Sequence, residues 1–323
     1  MSGELTIFHV ADVHGSDRCF RKWLNAARFY RADVIIIGGD LTAKVLVPLY
    51  PARGADASRR VATWQGRRVA LETRAEAADF ARRLRDEGAY ALETTEDEVA
   101  ELQASPDRER AVFTQLKVAQ LADWLRLADE RLAGQAVRAL VMPGNDDPPD
   151  IDAVLADSRT LIDVQGRAVE LAPGIWLAAR GESTPTPWHT PRELPDDELG
   201  RRVEEALESV PPGVVAIWDL HMPPFATGVD EAPVLDGALR VQYDGSGEPR
   251  MQPVGSRSIR RLIEERQPAL ALHGHIHEGR GRYRLGRTTG FNPGSQYEAG
   301  VLLGVLARVS AQKGLRDFAL TSG

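Results

Sequence analysis

Short apolar, β-branched runs recur along the chain and end in polar turns: Leu5–Val10, Ala32–Ile37, Arg138–Met142, Ile175–Ala179, Val214–Trp218 and Ala269–Leu272. Runs of this length, bounded by turn residues, predict buried strands. Helix-like stretches (Asp17–Tyr30, Glu198–Ser209 and Ser256–Arg266) lie between several of them. Strands alternating with helices predict an α/β sheet protein. From Arg282 to Arg308 the strand-like pieces are shorter, with glycine turns and fewer helical signals, so a layered structure with more than one sheet is expected.

Between Leu41 and Gln135 the pattern changes. A proline-containing stretch, Val47–Gly54, leads into long segments rich in Ala, Arg, Glu and Leu. Arg74–Glu87 and Asp107–Leu132 read as amphipathic helices, the second opening with a capping serine and a proline, Ser105-Pro106. The segment is too long for an ordinary crossover between strands, and 44–135 reads as a helical insertion in a single domain spanning 1–323. Its charges predict a solvated face; the alternatives are a cover for the active site or a dimer contact.

Composition narrows the class. The chain has 323 residues, of which 43% are hydrophobic, enough for a sizeable core. No apolar run is long enough to cross a bilayer, and Leu5–Ala11 reads as a first strand, not a signal peptide. With Cys19 as the one cysteine no internal disulfide forms, so a cytoplasmic location is expected. The net charge of −7 argues against a broad nucleic-acid surface, but leaves room for a small phosphorylated ligand held through divalent cations.

The polar residues that end the strands carry the chemistry. They form five clusters: Asp12-Val13-His14-Gly15, Gly38-Gly39-Asp40, Gly144-Asn145-Asp146-Asp147, Asp219-Leu220-His221, and His273-Gly274-His275-Ile276-His277. Ligands bind at the carboxyl ends of strands in open α/β sheets. In Asp-x-His and His-x-His the two side chains point to the same side of an extended backbone and can reach one cation together. Either motif alone is a weak signal, whereas five in order are a strong one.

The series resembles the calcineurin-like metallophosphoesterase superfamily over nearly the whole chain outside the insertion, and Asn292-Pro293-Gly294-Ser295 resembles a turn found in many of its members. The resemblance implies two packed mixed β-sheets flanked by helices, with a dinuclear metal centre at one edge. It implies that Asp12, His14 and His277 bind one metal, that Asn145, His221 and His275 bind the other, and that Asp40 bridges them. Two-metal hydrolytic sites hold their ions roughly 3.5–4 Å apart, and water held there is acidic enough to attack a phosphate ester. Imidazoles among the ligands favour Mn, Fe, Zn, Co or Ni over Mg or Ca. His273 reads as a partner behind the ligands or a packed strand residue, and His9 as a core histidine.

The pattern departs from many relatives at Asp146, where they carry a histidine that contacts the phosphate. Asp146 serves as a proton donor only if its pKa is raised. His189, in the stiff loop Thr184–Pro191, is the other candidate proton donor, with Trp188 either walling the pocket or anchoring the loop to the body. Arg180 and Arg257 have no spacing that marks them as phosphate partners. The expected activity is hydrolysis of a phosphate ester, a nucleotide-like phosphodiester before a monoester; the alternative is a metal- or phospholigand-binding protein with little turnover.

Overall fold

The computed structural model describes residues 4–51 and 58–323. Strand β1 (Glu4–Val10) leads through α1 (Asp17–Phe29) to β2 (Val34–Gly38). The insertion follows: β3 (Val45–Pro51), β4 (Arg60–Trp64), β5 (Arg67–Leu71), α2 (Arg74–Asp86), β6 (Ala89–Glu93), α3 (Glu96–Ala104) and α4 (Pro106–Leu132). The chain returns through β7 (Arg138–Met142), α5 (Ile151–Ala156), β8 (Leu161–Asp163), β9 (Ala168–Ala172), β10 (Ile175–Arg180), α6 (Asp196–Leu207) and β11 (Val215–Leu220). It closes with β12 (Glu231–Pro233), β13 (Met251–Pro253), α7 (Arg257–Arg266), β14 (Leu270–Leu272), β15 (Gly281–Leu285), β16 (Thr288–Asn292), β17 (Leu303–Ser310) and β18 (Gly314–Ser322).

Two six-stranded mixed sheets, β18-β17-β1-β2-β7-β8 and β15-β16-β14-β11-β10-β9, pack face to face. The alternation along β1 shows how. Ile7 joins Ile36, Leu140, Leu177, Ile217 and Leu272 between the sheets, while Phe8 and Val10 point outward to α1 and α4. On the far side, Trp218 and Leu220 pack against α6 and α7. The result is the expected sandwich of helices, sheet, sheet and helices.

In the insertion, α2 and α4 occupy the two stretches read as helices. The segment also holds a four-stranded sheet, β5-β4-β3-β6, with its own apolar core around Val47, Leu49, Phe80 and Leu84, which a helical reading omits. Two prolines disguise β3, since proline is uncommon within a strand; residues 52–54 of that proline-containing stretch lie outside the described residues. The β4–β5 hairpin turns on Gln65-Gly66, both at positive φ (50° and 73°), as a two-residue hairpin turn requires.

The insertion is bolted to the body near the first polar cluster. On α4, Gln120 Nε2 donates to Gly15 O (2.7 Å) and Trp124 Nε1 to Asp17 Oδ1 (2.7 Å), while the Trp124 ring stacks on Phe20 at 4.1 Å. Ser16 Oγ donates to Asp86 O at the end of α2 (2.6 Å).

Candidate metal centre

Strands β1, β2 and β7 run parallel in one sheet, and β11 and β14 in the other. Their carboxyl ends meet at one edge of the sandwich. Asp12 and His14 follow β1, Asp40 follows β2, Asn145 follows β7, His221 follows β11, and His275 and His277 follow β14. The structure brings all seven together.

His14 and His277 bring their Nε2 atoms within 3.0 Å of each other, and His277 Nε2 lies 3.5 Å from Asp12 Oδ1. Asp40 Oδ2 stands 3.5 Å from His14 Nε2 and 3.4 Å from His221 Nε2, central to both halves. Asn145 Oδ1 faces His221 Nε2 (3.1 Å) and His275 Nδ1 (2.8 Å). Asp12, His14, Asp40, Asn145 and His221 are buried; His275 and His277 are partly open.

Four of the seven sit in the left-handed backbone region: Asp12 (φ 54°), His14 (39°), Asp40 (54°) and His275 (67°). Non-glycine residues adopt it at a cost, and such strain gathers where function needs a side chain aimed. Ladder-like bonds beyond the strands hold these turns, with Asp12 N–H donating to Gly39 O (3.1 Å) and His14 N–H to Asp40 O (2.9 Å). A Cβ on Gly39 would come within 2.2 Å of His221 Nδ1, so only glycine lets that ring close in.

The donor set fits divalent cations. His221 Nδ1 meets Gly38 O at 2.8 Å, and a carbonyl only accepts, so Nδ1 carries the ring hydrogen. In the neutral ring the Nε2 lone pair then faces the oxygens of Asn145, Asp40 and Asp12, acceptors with no donor between them. Such a convergence is relieved by a proton or a metal ion. Burial opposes a charged His221, yet the Asp40 carboxylate lifts its pKa to about 10. Burial likewise opposes an ionised Asp40, but His221, His14 and Lys44 hold it well below the usual carboxylate range.

Asn145 is oriented from outside the cluster. Glu193 Oε1 accepts from Thr190 Oγ1 (2.7 Å), so Thr190 Oγ1 accepts from Asn145 Nδ2 (2.9 Å) and the amide oxygen turns inward. Both threonines of the motif Thr186-x-x-x-Thr190 bond to Glu193. Thus the proline-rich loop does reach the site, but through Thr190. His189 is exposed, and Trp188, 63% exposed, does not anchor the loop.

Asp146 occupies a place the sequence left open. Its backbone N–H donates to Asp40 Oδ1 (3.0 Å), and its carboxylate pairs with Lys44 Nζ at 2.6 Å. Burial and the Asp40 charge push its pKa up to about 6, against the pull of Lys44. Asp147 is structural: it accepts from Leu41 N, Thr42 N, Thr42 Oγ1 and Gly144 N at 2.7–2.9 Å, tying the two loops together.

The remaining candidates stand apart. His273 Nδ1 lies 2.7 Å from Leu220 O and its Nε2 2.8 Å from Tyr283 Oη, so both ring nitrogens are engaged within the outer packing of the second sheet. His9 Nε2 meets Asp219 Oδ1 at 3.1 Å, a buried pair between the sheets. A Cβ on Gly38 would strike both, so this pair packs against the peptide whose carbonyl holds His221. Arg180 pairs with Glu182 (3.2 Å) and Arg257 lies over the Phe225 ring at 3.8 Å. Asn292 Nδ2 donates to Gly274 O (3.1 Å) and Ile276 O (2.9 Å), clamping the loop that carries His275 and His277.

No protein-family model matches the sequence, and no curated protein matches it. Solved structures match the architecture. The protein TT1561 of Thermus thermophilus aligns over 99% of this chain and 98% of its own, at 14% identity and a TM-score of 0.52. A second solved structure aligns over 98% of both chains at 15% identity and a TM-score of 0.53. The fold is the calcineurin-like one. A 5′-nucleotidase precursor from Thermus thermophilus is a looser likeness that adds no weight: TM-score 0.41, 12% identity, over 99% of this chain and 54% of that one. In the calcineurin-like fold of this chain, the seven residues occupy the edge where both sheets present their strand ends.

Proposed function

We propose that this chain is a metal-dependent phosphoesterase, with a phosphodiester preferred to a monoester. The observation that carries the reading is the cluster itself: seven metal-capable side chains converge at the joined carboxyl ends of two sheets, with the Nε2 lone pair of neutral His221 facing the oxygens of Asn145 and Asp40. Asp12, His14 and His277 would hold one divalent transition-metal ion, Asn145, His221 and His275 a second, with Asp40 between them. Bound there, such ions supply an activated water and neutralise charge on the phosphate. The protein's own share is to orient. Gly38 O fixes the His221 ring, Thr190 fixes the Asn145 amide, and Asn292 fixes the His275–His277 loop.

The diester preference rests on Asp146. Its carboxylate is held by Lys44 beside Asp40, so this position offers no imidazolium to a poor leaving group. The test is hydrolysis of bis-p-nitrophenyl phosphate and p-nitrophenyl phosphate by the Mn²⁺-loaded protein, beside Asp40→Asn. We expect both esters to be cleaved, the diester faster, and the variant to lose ~10²-fold or more in rate. Activity on neither ester with Mn²⁺ bound would overturn the enzyme reading and favour a binding protein; activity untouched by Asp40→Asn would mark a contaminant.

A further inference from the structure

Residues of the insertion reach Asp146, which adjoins the cluster of seven. Lys44, its first residue, directs Nζ to the Asp146 carboxylate at 2.6 Å and keeps 37% of its side chain exposed. Lys117, near the middle of α4, is 9% exposed and donates to the Asp146 backbone carbonyl at 3.1 Å. Its ammonium also lies over the Phe113 ring at 4.8 Å.

An ammonium has three N–H donors, and a carbonyl takes one of those of Lys117. Among the described residues no carboxylate pairs with it. A buried charge with unspent donors is costly unless something completes its shell. Nor does the anchoring of the insertion explain it, since Gln120, Trp124 and Ser16 already make those bonds. Both lysines flank Asp146, whose N–H touches Asp40 at the centre of the cluster. Two ammonium groups from separate parts of the insertion therefore converge on Asp146, beside the centre of the cluster.

We propose that Lys44 and Lys117 form the anion-binding face of this site, donating to the non-bridging oxygens of a phosphate ester on the side away from the metal ligands. This rests on the phosphoesterase reading for its substrate, but requires only that a phosphate oxyanion binds. The insertion thereby belongs to the substrate pocket, and Asp146 serves to hold Lys44 in place.

The experiment compares the wild type with Lys117→Met, which keeps the apolar stem and removes the charge, and with Lys44→Met. Titration calorimetry measures the dissociation constant for inorganic phosphate on Mn²⁺-loaded protein, and steady-state kinetics give KM and kcat for bis-p-nitrophenyl phosphate. Bound Mn²⁺ and the thermal midpoint report on structure. A charge-assisted hydrogen bond predicts phosphate binding weakened about tenfold or more in each variant, a KM raised in proportion, and Mn²⁺ content unchanged. Lys117→Arg retains the charge and recovers most of the affinity. Should Lys117→Met fail to fold, Lys44→Met at its partly exposed position carries the same comparison.

Equal phosphate affinity in the wild type and folded methionine variants overturns the inference, as does a wild type that binds no phosphate. If the wild type binds phosphate but cleaves neither ester, the enzyme reading falls alone, and the calorimetry still decides the role of the lysines.

Discussion

Thr190 shows how much of a site lies in single hydrogen bonds outside it. Its hydroxyl has one hydrogen, committed to Glu193, and so it can only accept from Asn145. Valine at 190 keeps the shape and removes that acceptor, leaving the amide free to flip and present N–H to His221 and His275. Substitutions of such supporting residues typically cost 10–100-fold in metal affinity or activity. We expect Thr190→Val to fall roughly tenfold in both Mn²⁺ affinity and kcat/KM, Thr190→Ser to restore them, and His189→Ala, on the exposed neighbour, to stay within about twofold with an unchanged pH profile. Mn²⁺ titration and pH–rate profiles check this; a large effect of His189→Ala would return the proton-donor role to it. The seven candidate ligands, which the fold gathers into one cluster, were legible because each lies in a short motif whose spacing has a chemical reason. Thr190, Lys44, Lys117 and the His9–Asp219 pair carry no such local signal. Their partners lie 45, 102, 29 and 210 residues away, and only the fold makes them neighbours.

Among the elements, the central strands declared themselves because burial on both faces requires unbroken apolar runs, as in Val34–Ile37. The insertion strands did not. Arg60–Trp64 and Arg67–Leu71 form a hairpin with one face toward solvent, and arginines there obscure the alternation. Their clearest sign was the pair Gln65-Gly66, which chance also produces often. The hairpin offers a clean measure of turn chemistry. Gly66 has φ 73° and a Cβ there would meet nothing within 4 Å, so alanine costs conformation alone. Gly66→Ala is expected to destabilise by about 1 kcal/mol, the penalty of a left-handed L-residue, and urea unfolding measures it. A neutral result would show that the hairpin unfolds separately from the body. The turn is remote from the ligands, so Mn²⁺ content should not change.

At the scale of the molecule, the proposed ligands are divided between the two sheets. Asp12, His14, Asp40 and Asn145 come from the sheet of β1, β2 and β7; His221, His275 and His277 come from the sheet of β11 and β14. A divalent cation held by both sets is a cross-link at the edge of the sandwich, opposite in sign to the repulsion of the carboxylates it replaces. It binds the folded chain and not the unfolded one, so it stabilises by about 4 kcal/mol at a thousandfold excess over its dissociation constant. For a domain of this size that corresponds to a rise in Tm of roughly 5–10 °C. Adding Mn²⁺ to chelator-treated protein should produce this rise, and Ca²⁺, poorly suited to imidazole, much less. His221→Ala removes the ligand that faces Asp40 from the opposite sheet. It should keep most of the chelated protein's Tm while losing most of the Mn²⁺ shift. An undiminished shift in His221→Ala would place the ion elsewhere, and the division of ligands between sheets would then have no part in stability.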